Sequence, residues 1–433
     1  KIGDELMKMY YAKEKGVKVK DLPRKGTFRK EIQLKRCVPK YIEYKSKMLN
    51  DLLADIKSST AKQTDSFDRE FVFKGTKYTM AKGGLHSTND DEKHFSDKDG
   101  TIYDWDVQSM YPALIIANTI FPYHLGKELL NVYKTLYDKR IELKPLSKND
   151  KRIKGIVEAI KLVLNSIFGK MGSMESWLYD AQAMLSVTIG GELSILMLIE
   201  MLEERGIHVF SANTDGITFK TNNHDVAMEV WKEWQEKTGL LLEEATYDWI
   251  IYSSVNDYIA KKGDGEIKKK GDYLTDHELW KNKSMRIVPL ALEAYYTEKV
   301  DPQEFIKKHK NIYDFCISSR ASGDTWLEEQ NGLNVKKHKK LVRYYLSNTS
   351  GSQLFKRGTG TTGKPMNANQ QAPNELGKQH IRYFNQFSEN TPDIDYNQYI
   401  LRCYKMIDSV EKTKKTKRFI EQVNNSNQGD LFA

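Results

Sequence analysis

Ile102-Tyr103-Asp104-Trp105-Asp106-Val107-Gln108-Ser109-Met110-Tyr111-Pro112 is the stretch on which the reading turns. Its first half has strand character, and Ser109 to Pro112 turn the chain into the apolar run Leu114 to Ala117. Asp106 therefore stands at the end of a strand, rigidly held and half exposed, where a carboxylate is placed to bind a divalent cation. For one isolated Asp, capping of the following helix is the plainer explanation. Other parts of the chain must decide between them.

Downstream, Ile207 to Phe219 contains two β-prone runs joined at Asn213-Thr214-Asp215-Gly216, and Asp-Gly is a strong hairpin signal. By itself this is a turn. A hairpin tip is also a rigid way to hold Asp215 beside a carboxylate on another strand, and two such carboxylates hold paired Mg²⁺ ions about 3.5 to 4 Å apart in phosphoryl chemistry. Between these stretches, Leu125 to Gly172 reads as two antiparallel helices, the first stopped by Pro145. On the second, Ile153, Ile156, Val157, Ile160, Leu164 and Ile167 form an apolar core stripe. Lys161, Asn165 and Phe168 stand at i, i+4 and i+7 on a different face and offer a cation, an amide and a ring to one ligand. Arg140 and Lys144 lie four apart on the first helix. Both can snorkel to solvent, which suits Lys better than Arg140 on its apolar side; with Lys161 in one groove they would suit a triphosphate.

The 433 residues suffice for about three structural units. Lys plus Arg total 68 against 59 acidic residues, a net charge of +9, which favours an anionic partner without identifying it. Apolar residues at 39% and charged ones at 29% describe a soluble globular chain. The most apolar stretch, Ala181 to Leu202, is interrupted by Glu192, which is read as excluding a transmembrane helix. Cys37, Cys316 and Cys403 are far apart with no CxxC pair, as in a reducing compartment without structural zinc. Residues 1–65 read as basic helices and connectors, 71–102 as sheet with loops, 351–371 as a mobile loop, and the part after Tyr273 as helices and Lys-rich loops.

Taken together, the motifs resemble those of family B DNA polymerases, particularly the replicative polymerases of tailed bacteriophages. Asp106-Val107-Gln108-Ser109-Met110-Tyr111-Pro112 is similar to motif A, D-x-x-S-L-Y-P. Lys161 to Gly169 (KLVLNSIFG) is similar to motif B, K-x-x-x-N-S-x-Y-G, and Asn213-Thr214-Asp215-Gly216 to motif C, D-T-D-S. Arg140 and Lys144 occupy an R-x-x-x-K position, and the phage-like flavour extends from Arg29 to Ile56, through Gly83-Gly84-Leu85-His86-Ser87, to Ile394-Asp395-Tyr396. The departures are Asn213 for Asp, Gly216 for Ser, Phe168 for Tyr and Met110 for Leu.

The resemblance implies an α+β right-hand polymerase: an antiparallel-sheet palm, short two-helix fingers and a mostly helical thumb. Its expected segments are an N-terminal connector region (1–65), palm (66–126 and 171–285), fingers (127–170), thumb (286–423) and a flexible tail (424–433). Asp106 and Asp215 would be the catalytic, metal-binding carboxylates for two Mg²⁺ ions, with Mn²⁺ as a substitute and the Val107 carbonyl as a further ligand. Ser109, Met110 and Tyr111 would hold the dNTP, with Tyr111 as the steric gate against ribose. Arg140, Lys144, Lys161 and Asn165 would bind its phosphates, and Phe168 and Gly169 would pack near the nascent base pair. Tyr258, Lys261, Lys269 and Lys270 would contact primer-template DNA.

The family's exonuclease acids have no match in the 105 residues before Asp106. With Lys1 as the first residue, an exonuclease is expected to have been cut from the front or to be a separate chain. The short motif spacings favour a nucleic-acid primer over a protein one. Gln428-Gly429-Asp430-Leu431-Phe432 looks like the peptide with which bacterial replication proteins bind the sliding clamp, making the host clamp an expected partner through Gln428, Asp430, Leu431 and Phe432. The expected protein is a monomer without membrane contact, replicating viral DNA in the cytoplasm of an infected bacterium. A two-metal nuclease and a catalytically degenerate DNA-binding subunit remain as alternatives.

Overall fold

Strand Thr101–Val107 alternates its burial around Ile102, Asp104, Trp105 and Val107, and sits inside an antiparallel sheet. Its neighbours are Gly216–Thr221 on one side and Leu242–Ser254 on the other. Asp104 is tolerated in that interior because Thr218 Oγ1 at 3.0 Å and the Tyr247 hydroxyl at 2.7 Å donate to its carboxylate. Beyond Gly216–Thr221 the order continues through Val209–Asn213, Gly84–Ser87, Thr76–Ala81 and Asp68–Phe73, each pair antiparallel. The expected sheet character of 71–102 is thus observed.

The computed structural model describes residues 2–62, 68–81, 83–148, 150–275, 285–323, 325–338, 340–358, 370–371, 380–384 and 393–429. They form two compact units. The first comprises Lys1–Asn89, His94–Trp249 and Lys262–Gly265; the second comprises Asp90–Lys93, Ile250–Lys261 and Glu266–Ala433.

In the first unit the helix pair expected over 125–172 is Lys127–Leu143 and Lys151–Met171. Asp150 caps the second by accepting from the amides of Arg152 and Ile153. Val157, Leu164 and Ile167 of the expected stripe are buried. Helix Ala181–Glu203 is long and apolar enough to cross a membrane by length and composition, despite Glu192, so that criterion does not exclude a span. Its surroundings explain its apolarity: 89% of its most apolar window is buried inside the protein, as in a core helix. Glu192 itself is buried on this helix and accepts the Ala81 N–H at 3.0 Å. Cys37, Cys316 and Cys403 are free and buried.

The second unit departs from expectation. Segment 286–423, expected to be mostly helical, contains seven strands among its described residues beside the helices Ile287–Glu298, Pro302–Lys308 and Tyr396–Glu411. Ile317–Arg320, Leu341–Ser347 and His380–Tyr383 form one antiparallel sheet; Asn334–His338, Thr325–Asn331, Gln353–Gly358 and Gln370–Gln371 form another. The Lys-rich stretches read as loops because charge hides the alternation of a two-sided strand. Lys337, for example, lies with its ammonium 4.4 Å from the Trp326 ring centre, covering apolar surface while remaining charged. The expected loop 351–371 begins and ends in strands, its middle, 359–369, lying outside the described residues. Helix Lys415–Gly429 runs into the segment expected as a flexible tail.

Candidate active site

Asp106 lies opposite Gly216 in the sheet register, and Gly216 lies opposite Asn213 across the hairpin. The Val107 N–H donates to the Asp215 carbonyl at 2.7 Å, fastening the end of the Asp106 strand to the hairpin tip. The turn is tight: Thr214 is left-handed at φ 60, and the Asp215 N–H returns to the Asn213 carbonyl at 2.7 Å. Asp106 is half-buried and Asp215 exposed. A Cβ on residue 216 would fall 2.0 Å from Asp106 Oδ1, so the glycine that departs from motif C clears room for this carboxylate.

The next turn carries Ser109, also left-handed at φ 52, into helix Met110–Ala117. Arg140 Nη1 donates to Ser109 Oγ. Arg140 is 8% exposed, and its buried Nε has no hydrogen-bond partner among the described residues. A buried guanidinium with an unused N–H fits an anion. Lys144, one turn on, forms an ion pair with Glu243, which lies opposite Asp106 on strand Leu242–Ser254. Sequence reasoning missed Glu243. Only sheet register brings it to this place, and no local motif announces it.

Tyr111 packs its ring on Phe168, the centroids 4.3 Å apart, and its hydroxyl donates to the Gly83 carbonyl at 3.4 Å. Burial first, then the charges of Asp215 and Glu192, push its pKa up to about 12. Lys161 and Asn165 are exposed on the helix that carries Phe168, and Gly169 is exposed beside it. Met110 differs from expectation. Its side chain is 4% exposed and lies against Gly191, so only its main chain is left to meet a nucleotide.

The expected DNA-contacting residues belong to the second unit, in a hairpin of Asp257–Lys262 and Ile267–Lys270 with Tyr258 opposite Lys270 and Lys261 opposite Ile267. Lys261 and Lys270 are half-buried there. Two of the four are built into the protein: Tyr258 is 8% exposed, and Lys269 Nζ is held by Glu293 at 2.8 Å and Thr275 at 2.6 Å. Of the clamp-like peptide, Gln428 falls in the last helix, while Asp430, Leu431 and Phe432 lie outside the described residues.

Among the described residues, no group of three or more His, Cys, Asp or Glu side chains is arranged around a metal position. Asp106 and Asp215, with the Val107 carbonyl, would offer oxygen donors only, the donor chemistry that suits a hard cation such as Mg²⁺.

No family model matches the chain. Over 194 residues it is 30% identical to DNA polymerase 2 of Saccharolobus solfataricus. The likeness in sequence is to a DNA polymerase. The matched stretch is 39% of this chain and 29% of that polymerase, less than a third of the relative's length. Among solved structures the chain is similar to the family B DNA polymerase from the hyperthermophilic archaeon Pyrobaculum calidifontis, with TM-score 0.43 and 16% identity, over 83% of this chain and 49% of that one.

Proposed function

We propose that this chain is the polymerase module of a DNA-directed DNA polymerase of the family B type, with palm, fingers and thumb. It adds deoxynucleotides to a primer 3′-OH under template direction and releases pyrophosphate. The observation that carries this reading is the fastening of Asp106 and Asp215 to adjoining strand ends within the unit whose helix pair sends Arg140 to Ser109.

Asp106, Asp215 and the Val107 carbonyl would hold the metal ions. Mg²⁺ bound there, or Mn²⁺ in its place, supplies charge neutralisation for the phosphates and lowers the pKa of the attacking hydroxyl. The rest falls to the chain's own groups. Arg140, with its unused Nε, Lys144, Lys161 and Asn165 bind the triphosphate, and the Met110 and Tyr111 amides, in the first turn of helix Met110–Ala117, would add main-chain donors. Tyr111, held between Phe168 and the Gly83 carbonyl, occupies the space a ribose 2′-OH would need, so dNTPs are preferred. Closing of the helix pair over the nucleotide aligns the α-phosphate with the primer hydroxyl.

In the finer reading this is a bacteriophage replication enzyme acting in the bacterial cytoplasm as a monomer, with primer-template DNA and dNTPs as its substrates and the host sliding clamp as a partner. Primer extension on a labelled primer-template with Mg²⁺ tests the central assignment. Longer products with dNTPs alone are expected. A shortened primer would instead make the same carboxylates those of a nuclease, and an unchanged, tightly bound primer would indicate a degenerate binding module.

A further inference from the structure

The stretch Gly84-Leu85-His86 belongs to the strand beside the hairpin tip, and His86 lies in register with Asn213. It grips the residue between Asn213 and Asp215 at three points. The Leu85 carbonyl accepts the Thr214 N–H at 2.7 Å. Gly84, at φ 124, packs so close to Thr214 that a Cβ there would meet its Cγ2 at 2.9 Å and its Oγ1 at 3.0 Å. His86 Nε2 is 3.2 Å from Thr214 Oγ1.

A second contact helps to fix the orientation of the imidazole. His86 Nδ1 is 3.1 Å from the Gly84 carbonyl, which can only accept, so Nδ1 carries a hydrogen. In the neutral ring Nε2 is then the acceptor of the Thr214 hydroxyl proton. The grip has something to hold, because a β-branched residue is disfavoured in the left-handed conformation that Thr214 adopts. Thr214 in turn sets the direction of the peptide leading into Asp215, whose N–H and carbonyl are both engaged, by Asn213 and Val107.

We infer that His86 is a positioning residue which, through the Thr214 hydroxyl, aims the Asp215 carboxylate at its cation. The inference rests on the reading of Asp215 as a metal ligand. It goes beyond that reading by giving the Gly83 to Ser87 stretch a task.

The test is Mn²⁺ binding to the full chain with primer-template, followed by electron paramagnetic resonance, together with the Mg²⁺ concentration giving half-maximal extension. Site-specific binding is defined as the part lost in Asp215→Asn. His86→Ala and Thr214→Val are each expected to weaken that binding about tenfold, the usual scale for a group behind a metal ligand. The double variant should be no worse than the weaker single one, because both remove one hydrogen bond. His86→Gln, which can still present an acceptor, should recover most of the affinity, whereas a merely structural role would not be rescued in this way. Wild-type Mn²⁺ affinity in both single variants, or effects that multiply in the double variant, would overturn the inference. A wild-type chain that binds Mn²⁺ through Asp215 and loses it in His86→Ala, yet extends no primer, would overturn the polymerase reading and support the positioning role.

Discussion

The Val107 N–H and the Asp215 carbonyl are 2.7 Å apart, and this bond joins segments 108 residues apart in sequence, tying the end of the Asp106 strand to the turn that carries Asp215. Because the bond is between main-chain groups, it survives substitution of either carboxylate. Loss of a carboxylate can therefore be read as loss of chemistry rather than of fold.

Lys144 is paired with Glu243, so an incoming triphosphate must compete for it. Lys144→Ala is expected to raise KM for dNTPs about 10- to 100-fold, the scale of a charge-assisted hydrogen bond. Glu243→Gln should lower KM by up to about fivefold, since a half-exposed pair is worth no more than about 1 kcal/mol. Steady-state kinetics of the two variants checks both directions.

Tyr111 is fixed by a ring on one side and a carbonyl on the other, which makes it a wall rather than a flexible contact. Tyr111→Ala should reduce discrimination between dNTP and rNTP about 10- to 100-fold in kcat/KM. Equal discrimination in the variant would remove Tyr111 from the role of gate.

Burial holds the Glu192 pKa well above the usual carboxylate range. The folded state then keeps a proton that the unfolded state has released, so stability falls as pH rises from about 4.5 towards the folded pKa. Glu192→Gln has no such proton to lose. Denaturant unfolding should show wild type losing stability relative to the variant between pH 5 and pH 8, whereas parallel pH dependences would mean that Glu192 is charged in place.

Wherever chemistry was local, the sequence was legible. Asp106 at a strand end, the Asn213 to Gly216 turn and the face shared by Lys161, Asn165 and Phe168 all follow from spacing, and each has the expected local setting. What stayed hidden depended on register between distant strands. Glu243 stands beside Asp106 only because Leu242–Ser254 pairs in one particular register, and His86 reaches Thr214 across 128 residues of chain. Strands Thr325–Asn331, Asn334–His338 and Gln353–Gly358 were missed for another reason: the adjacent charges Glu328-Glu329, Lys336-Lys337 and Lys356-Arg357 fall on both faces and mask the period of two. Met110 and Lys269 looked available in the sequence but are packed or paired inside their units.

If the clamp-like peptide is functional, deleting residues 428 to 432 should leave distributive extension unchanged and abolish stimulation by a bacterial sliding clamp. Stimulation that persists after the deletion would leave the peptide without a role.

The most direct measurement is single-turnover primer extension with Mg²⁺ and dNTPs by wild type, Asp106→Ala and Asp215→Ala, alongside primer-template binding. The expected result is extension by wild type, extension in both variants reduced by about 1,000-fold or more, and DNA affinity retained within about threefold. Extension at the wild-type rate in either variant would contradict the assignment of these two carboxylates as the catalytic pair.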